Sequence, residues 1–363
     1  MIAPESLYPA RAPIAFRDRA VKEDPTTLMS RMRWPLLIAT MIGLAAALWA
    51  FGREGWAQVL ASAARTGIVG FAALCLITIA TFFLLGGAWQ AAAPGVPLRR
   101  IGRFAWARAA RDAANDLLPF SQLGALVVGA RTLIAGGIGQ IEIYAAMIVD
   151  LTTEMASQLI FTLFALWAFG AALSGAGATR LLPLLWGGLG AATALTLLFL
   201  FLQRPAIRFA GFLAARLLPD AGAMAAGIGA QLGHAYAHRG RVLVSFLLNL
   251  AAWGATAFWS WYALHLMGAH ASLWRAAALE SAIFALRSAA FFVPAAIGVQ
   301  EAGYALLAPL VGIDPAAALA LSLVRRARDV VLGVPILLVW QAGEMRGGLA
   351  PRRPSPEGGT GAI

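Results

Sequence analysis

Two short charged stretches stand beside long apolar runs and carry the residue types that could do chemistry. In VDLTTE, Asp150 and Glu154 are four residues apart and share one face of a helix. In LSLVRRARDVVLGVP, Arg325, Arg328 and Asp329 also share one helical face. An ionisable group at the bilayer centre costs about 2.5–3.5 kcal/mol or more, so such groups pair or line water. We therefore expect a charged cavity between these two helices.

Three interpretations of these charges remain open from the sequence. Arginine binds phosphate through a planar, bidentate fork, which suits the headgroup of an anionic or polar lipid. The carboxylates could instead act as general bases in a membrane-embedded, lipid-modifying transferase. The charges could also simply neutralise one another and hold the fold together, as in a scaffold protein.

Further polar residues within apolar surroundings complete the candidate set for a substrate cavity. They are Arg131, Asn115, Asp116, Gln300, Glu301, Arg287 and Glu280. Cys75 is the single cysteine, and His234 and His238 are predicted to lie on an amphipathic surface segment. Neither a metal nor a cofactor is predicted.

Composition indicates a polytopic membrane protein. Of the 363 residues, 60% are hydrophobic and only 12% are charged, whereas soluble domains carry about 25% charged residues. The net charge of +11 suggests nucleic acid at first, but the basic residues fall mainly between apolar segments. This distribution favours membrane topology and anionic lipid surfaces. Membrane lipids, and no nucleic acid, are the expected partners.

The apolar segments predict an all-α membrane helical bundle. Runs long enough to cross a bilayer occur at 34–52, 66–98, 155–179, 181–203, 242–274 and 315–341, the last opening with the arginine cluster. A polar cytoplasmic tail, 1–33, and a short cytoplasmic tail, 343–363, flank a single integral membrane domain at 34–342.

Two other apolar stretches, 101–137 and 275–313, are interrupted by proline, glycine and polar residues. Each is predicted to form two short helices folded back as a re-entrant hairpin, which is tolerated only inside protein or along a cavity. The hairpin backbone positions are Pro119, Gly124, Gly129, Pro294, Gly298 and Gly303. The bundle would have about six full spans plus two hairpins, and eight full spans is the alternative.

The hairpins belong to a predicted repeat with blocks 101–179 and 275–341. Each block reaches a Gly-Ile pair, Gly137-Ile138 in one and Gly312-Ile313 in the other. Twelve residues after the isoleucine, the first block has Asp150 and the second has Arg325. One helix thus presents acids where its counterpart presents bases, and we expect the two to pair.

The arginine distribution predicts the orientation of the repeats. The basic segments 1–33, 99–111 and 204–241 are assigned to the cytoplasm by the positive-inside rule. Both termini then lie in the cytoplasm and the repeats have inverted topology, with a site expected near the midplane. The sequence contains no H-E-x-x-H, no G-x-S-x-G and no P-loop motif, which disfavours several enzyme classes and ATP-driven transport.

Four blocks also carry a family resemblance: NDLLPFSQLGALVVGARTL, VDLTTE, FFVPAAIGVQEAGYALL and LSLVRRARDVVLGVP. Together they resemble the hopanoid-biosynthesis-associated inner-membrane proteins of the HpnL type. These belong to a larger superfamily with the flippase-like transmembrane region of lysylphosphatidylglycerol synthases. The resemblance covers roughly residues 35–342.

The resemblance implies a multi-pass protein of the bacterial inner membrane that translocates hopanoids or related polar lipids. Hopanoid-synthesis enzymes would be partners if the protein were a scaffold. Lipid aminoacylation by this chain is not expected, because only a short tail follows residue 345. Oligomeric state, direction and energy coupling are not indicated.

Overall fold

The computed structural model describes residues 51–118, 122–172, 221–289 and 298–349, with isolated residues at 41–49 and 183–202. This part of the chain is helical and contains no strand, as predicted. The predicted tail 1–33 and the hairpin prolines Pro119 and Pro294 lie outside the described residues. So do most of the expected spans 34–52 and 181–203.

The described helices fall into three groups along the chain. The first group is α1 (Trp56–Ala64) and α2 (Gly67–Ala91). The second is α3 (Ile101–Leu117), α4 (Gln122–Ala135), α5 (Gln140–Ala172), α6 (Ala221–Ala237) and α7 (Arg239–Leu266). The third is α8 (Leu273–Ala289), α9 (Val299–Leu307) and α10 (Pro315–Leu349), so the last helix runs past the expected boundary at 342. Single 3₁₀ turns, Leu98–Arg100 and Pro309–Val311, precede α3 and follow α9.

Three described helices are long and apolar enough to cross a membrane, Gly67–Ala91, Gln140–Phe169 and Arg239–Leu266. They correspond to the spans expected at 66–98, 155–179 and 242–274, although the second begins earlier than expected. These helices present large apolar side chains outward, among them Ile68, Leu163 and Leu247. Outward apolar residues of this kind suit a lipid environment.

The same order of elements occurs twice. A 17-residue helix, a shorter helix and a helix of more than 30 residues form both α3–α4–α5 and α8–α9–α10. In both cases the two short helices pack against each other, and the first of them packs against the long helix of the other set. The two largest buried clusters lie around Trp89, Phe104 and Leu133 and around Trp259, Tyr304 and Leu279, and the second also includes residues of α2 and α5.

The turn before each long helix is built in the same way. Gly137 and Gly312 both adopt left-handed backbone, with φ of 78° and 69°. The next amide reaches back five residues, from Ile138 to the Leu133 carbonyl and from Ile313 to the Ala308 carbonyl. Both isoleucines are buried. Glycine adopts this φ without the steric cost that a side chain would add.

The helix pairs α3–α4 and α8–α9 begin at opposite ends of the bundle. At the arginine-rich end, Arg100 Nη1 donates to the Gly137 carbonyl at 3.2 Å, and Arg241 donates to the carbonyls of Gln90, Ala91 and Ala93 at 3.0 Å. This end therefore holds both the start of α3 and the end of α4. At the opposite end, a surface pocket of about 340 Å³ is lined by Arg65, His270 and Asp314. Because His270 precedes α8 and Asp314 precedes α10, the starts of these two helices lie side by side.

Candidate functional site

A cavity of about 450 Å³ lies where the inner ends of α3 and α8 meet the middles of α2, α5, α7 and α10. Its polar lining includes Arg108, Arg111, Asp112, Asn115, Asp116, Glu154, Arg287, Arg325, Arg328 and Asp329. Trp253 and Trp259 from α7 and Thr78 and Thr81 from α2 add further polar groups. Phe82, Leu85, Leu126, Leu151, Phe284 and Ile336 form apolar parts of the wall.

The first buried ion cluster joins α3 to α5. Arg108 donates to both Glu154 oxygens, at 2.6 and 3.2 Å, and Arg111 donates to Glu154 Oε2 at 3.1 Å. Asp150 Oδ2 lies 3.7 Å from Arg108 and 3.6 Å from Arg111, and its side chain is 0% exposed. Arg108 also reaches Asp112 Oδ1 at 2.9 Å. A buried carboxylate such as Asp150 is tolerated only with this kind of compensation.

Polar groups of α7 support this cluster from behind. Asn249 Nδ2 donates to Asp150 Oδ1 at 3.3 Å and to Thr153 Oγ1 at 3.1 Å. The Thr153 and Ser245 hydroxyls lie 2.8 Å apart. All of these side chains are buried, so α7 fixes the orientation of the acidic helix face.

The second buried cluster joins α8 to α10. Arg325 Nη2 donates to Glu280 Oε2 at 2.6 Å and to the Ser260 hydroxyl at 2.9 Å. The Tyr304 hydroxyl from α9 donates to the other Glu280 oxygen at 2.5 Å. The guanidinium of Arg325 also lies 5.2 Å from the Trp259 ring centre, a distance at which a cation is attracted to an aromatic face.

A third ion pair fixes the start of α9. Arg326 Nε donates to Glu301 Oε1 at 2.7 Å, and Glu301 Oε2 accepts the Gly298 amide at 2.8 Å. Gly298 has a φ of 80°, which suits glycine at the start of this short helix. Because Arg326 turns away from the cavity, this pair acts on the second hairpin alone.

At the centre of the cavity, the pair between α3 and α8 is loose, whereas Arg328 is closely paired with its neighbour Asp329. Arg287 Nη2 lies 4.0 Å from Asp116 Oδ1, and these side chains are 28% and 30% exposed. Arg328 hydrogen-bonds its neighbour Asp329, and its guanidinium lies 4.8 Å from the Trp259 ring centre. The contact between Asp116 and Arg287 joins the inner ends of the two hairpins.

The comparisons with known proteins agree with this architecture. The family model for the lysylphosphatidylglycerol synthase TM region matches residues 36–336, which include nearly all the described helices. The chain belongs to this family. Membership makes it a multi-pass membrane protein and associates it with membrane lipids. No curated protein and no solved structure matches it.

Within this TM-region protein, seven of the sequence-predicted site residues line the cavity. They are Glu154, Arg325, Arg328, Asp329, Asn115, Asp116 and Arg287. Asp150 and Glu280 lie directly behind the lining as buried ion-pair partners. Gln300 and Glu301 are buried on α9, and Arg131 is exposed and forms an ion pair with Glu344 at 2.5 Å, away from the cavity.

The pairing expected between the acidic and basic helices is wrong. The direct partners of Asp150 and Glu154 are Arg108 and Arg111, whereas Arg325 pairs with Glu280. Asp150, Glu154 and Arg325 are therefore each neutralised by the first hairpin helix of their own repeat. The two long helices face the same cavity, and they do so without a direct ion pair between them among the described residues.

Sequence reasoning missed Arg108 and Arg111, which it assigned to the cytoplasmic arginine segment 99–111. Both lie well inside α3, seven and ten residues after its first residue. One signal was available in the sequence. A single helical stripe with the spacing i, i+3, i+4, i+7 is formed by Arg108, Arg111, Asp112 and Asn115. Arginines that only lie at the membrane surface would not need this regular spacing.

The hairpin glycines have different local roles. A Cβ atom at Gly129 would lie 3.2 Å from the Arg111 Cβ, and one at Gly303 would lie 2.6 Å from a Leu286 methyl. These two glycines therefore allow the second hairpin helix to approach the first. Gly124 lies inside α4 and is exposed, whereas Gly298 begins α9.

Proposed function

We propose that this protein is an inner-membrane lipid translocase whose headgroup site is the charged cavity. The observation that carries the proposal is a cavity between the helices, with ten charged or amide side chains on some surfaces and aromatic and aliphatic groups on others. A polar headgroup and the adjoining hydrocarbon need this combination. Hopanoids or related polar lipids are the substrates that the family resemblance favours.

The proposal includes a specific membrane topology of six full spans and two re-entrant hairpins in inverted repeats. Helices of 17, 14 and 9 residues (α3, α4 and α9) rise about 26, 21 and 14 Å at 1.5 Å per residue. The hydrocarbon core is about 30 Å thick. The α4 and α9 helices are therefore too short to cross this core, and hairpins entering from opposite ends would turn back inside the membrane and meet at the cavity. The arginine-rich end and both termini would face the bacterial cytoplasm.

The buried clusters support a transport role because they form a rigid frame around a less tightly paired centre. Asp150, Glu280 and their arginine partners hold the hairpins in place. Arg287, Arg328, Asp116 and Asp329 remain partly exposed to the cavity. A headgroup entering the cavity would replace water on these four side chains and leave the frame intact.

The test is leaflet exchange in reconstituted vesicles of phosphatidylcholine and phosphatidylglycerol. Acyl-chain-labelled phosphatidylglycerol and a labelled hopanoid with a polar side chain are the probes, and dithionite quenching reports the outer leaflet. We expect protein-dependent exchange of at least one probe. Arg328→Ala should slow exchange about tenfold or more, because one charge-assisted contact of 1.5 kcal/mol or more is lost.

Arg131→Ala is the matched control for Arg328→Ala, since Arg131 is a helical arginine paired with an acid outside the cavity. Its exchange rate should equal that of the unchanged protein. Exchange of both probes no faster than in protein-free vesicles would reject translocation of these two lipid classes. Equal losses in both variants would remove the cavity from the mechanism. Modified lipid products in the same vesicles would favour the transferase instead.

A further inference from the structure

The charges around the cavity form two sets that differ in pairing and exposure. Arg108, Arg325 and Glu280 have side chains less than 10% exposed, and each has a partner at 2.6 Å. Asp116 and Arg287 are about three times as exposed and approach no closer than 4.0 Å. A separation of 4.0 Å exceeds the usual length of a charge-assisted hydrogen bond, about 2.7–2.9 Å. The second set therefore retains hydrogen-bonding capacity that the first set has used.

Within the described residues, Arg287 makes no hydrogen bond, and the only side-chain acceptor of Arg328 is the adjacent Asp329. Asp116 accepts a single hydrogen bond, from the Asn115 amide at 3.3 Å. Two guanidinium groups and one carboxylate with free capacity thus occupy the same small space. Arg328 also lies over Trp259, which holds its guanidinium in position from the opposite side.

This arrangement restricts which headgroup fits. A purely anionic headgroup would use Arg287 and Arg328 but would meet the carboxylates of Asp116 and Asp329. A purely cationic headgroup would use Asp116 and meet the two guanidinium groups. Like charges in a cavity of low dielectric constant repel strongly. A headgroup with one negative and one positive group satisfies both sets.

We propose that the cavity binds a zwitterionic phosphate–ammonium headgroup, with the phosphate on Arg287 and Arg328 and the ammonium on Asp116. Arginine provides a bidentate fork for phosphate oxygens. An ammonium group donates up to three hydrogen bonds, which the free Asp116 oxygen and the nearby Asp329 can accept. The assignment rests on the proposed translocase function and names the lipid class for the same site, headgroups of the phosphoethanolamine type.

The first experiment measures headgroup binding without transport. Protein in maltoside detergent is titrated by calorimetry with glycerophosphoethanolamine, glycerophosphoglycerol and ethanolamine. Glycerophosphoethanolamine should bind about tenfold more tightly than either other probe, the factor that one charge-assisted hydrogen bond supplies. Equal affinity for glycerophosphoethanolamine and glycerophosphoglycerol, or tightest binding of ethanolamine, would overturn the assignment.

Two isosteric or near-isosteric variants assign the charges. Asp116→Asn should remove the preference for glycerophosphoethanolamine by lowering its affinity to that of glycerophosphoglycerol. Arg287→Gln should weaken the binding of both probes. Glu344→Gln, which changes an acid outside the cavity, should change neither. Equal weakening of both probes by Asp116→Asn would contradict the ammonium site. If Asp116→Asn does not fold, the preference of the unchanged protein decides alone.

A transport arm separates this inference from the translocase proposal. Acyl-labelled phosphatidylethanolamine and phosphatidylglycerol are compared in the same vesicles. Faster exchange of phosphatidylethanolamine supports both proposals, and equal exchange of the two lipids rejects only the zwitterionic assignment. Preferential binding of glycerophosphoethanolamine without leaflet exchange of either lipid rejects the translocase proposal and supports the headgroup-binding site alone.

Discussion

At the scale of single residues, neutralisation within each repeat explains how so many charges are tolerated inside an apolar helix bundle. Arg325 has Glu280 as its partner at 2.6 Å, with Ser260 and Tyr304 completing the hydrogen bonds around the pair. Removing one partner of a buried ion pair leaves an uncompensated charge, which costs about 3–5 kcal/mol in soluble proteins. Replacing both partners removes that cost.

We predict that Arg325→Met lowers the free energy of unfolding by about 3–5 kcal/mol, and that Glu280→Gln in the same chain restores most of it. The measurement is unfolding by SDS titration in mixed micelles. Arg131→Met is the control, because its pair with Glu344 is exposed and should contribute at most about 1 kcal/mol. Additive losses in the double variant would show that the two side chains are not coupled.

The same pair shows which parts of the site could be predicted from the sequence and which could not. The long helices and the polar residues on them were predictable, because Asp150, Glu154, Arg325 and Asp329 interrupt long apolar runs. Their partners were not, because pairing depends on how deep each hairpin helix inserts. A charge exchange between Glu154 and Arg325, chosen from sequence alone, would disrupt two separate clusters. The informative exchange is between Arg325 and Glu280.

At the scale of elements, close helix contacts determine where the hairpin side chains lie. In the hydrocarbon phase, small residues at interfaces let helices approach because there is little hydrophobic drive between them. Gly86 of α2 is such a position: an added Cβ atom would lie 2.5 Å from the backbone nitrogen of Ala105 in α3. Three residues further along, α3 carries Arg108. The α2–α3 distance therefore positions the first ion cluster.

We predict that Gly86→Ala destabilises the protein and impairs lipid exchange, because a backbone atom of α3 cannot rotate away as a side chain can. The expected loss is at the upper end of the 1–3 kcal/mol typical of overpacking. Gly254→Ala is the control, since Gly254 of α7 has no neighbour within 4 Å of an added Cβ atom. Its unfolding midpoint should be unchanged or slightly higher. Equal stability of the two variants would contradict the close α2–α3 contact.

Turn chemistry at this scale was more accessible to sequence reasoning than packing. The Gly-Ile pairs at 137–138 and 312–313 were recognised as equivalent, and both form the same left-handed turn. Such turns depend on the local backbone conformation, and a glycine in the sequence predicts where a left-handed φ can occur. Gly86 gave no comparable signal, because its role depends on a neighbour that lies 19 positions away along the chain.

At the scale of the whole molecule, the depth of the inner hairpin ends decides whether each hairpin is re-entrant or consists of two full spans. The eight-span alternative makes each interrupted stretch one kinked span, which would put the start of α3 and the end of α4 on opposite sides, whereas Arg100 at the start of α3 donates to the Gly137 carbonyl just after α4. Re-entrant hairpins and hairpins of two full spans share this placement and differ in the depth of their inner ends. A full span would expose the inner end of α3 to the opposite aqueous side, whereas a re-entrant hairpin would keep it in the cavity.

Cysteine labelling tests this difference, because Cys75 is the single cysteine and Cys75→Ser supplies a cysteine-free background. Gly102→Cys marks the arginine-rich end, Ser272→Cys marks the opposite end, and Leu118→Cys marks the inner end of the first hairpin. With right-side-out vesicles and an impermeant maleimide, Ser272→Cys should label fully and Gly102→Cys only after permeabilisation. Labelling of Leu118→Cys should be at least about tenfold slower than that of Ser272→Cys, because a re-entrant hairpin would hold this outward-facing position in hydrocarbon, which the impermeant reagent does not enter.

Rapid outside labelling of Leu118→Cys, equal to that of Ser272→Cys, would establish α3 as a full span and reject the re-entrant hairpin. Labelling of Gly102→Cys without permeabilisation would reverse the orientation. The expected pattern, together with slowed labelling by glycerophosphoethanolamine of Ala113→Cys, a cavity-lining position of α3, would place the inner end of the hairpin beside the headgroup. Protection by that probe is the sharper outcome, because it requires that the cavity, the hairpin and the ligand occupy the same depth.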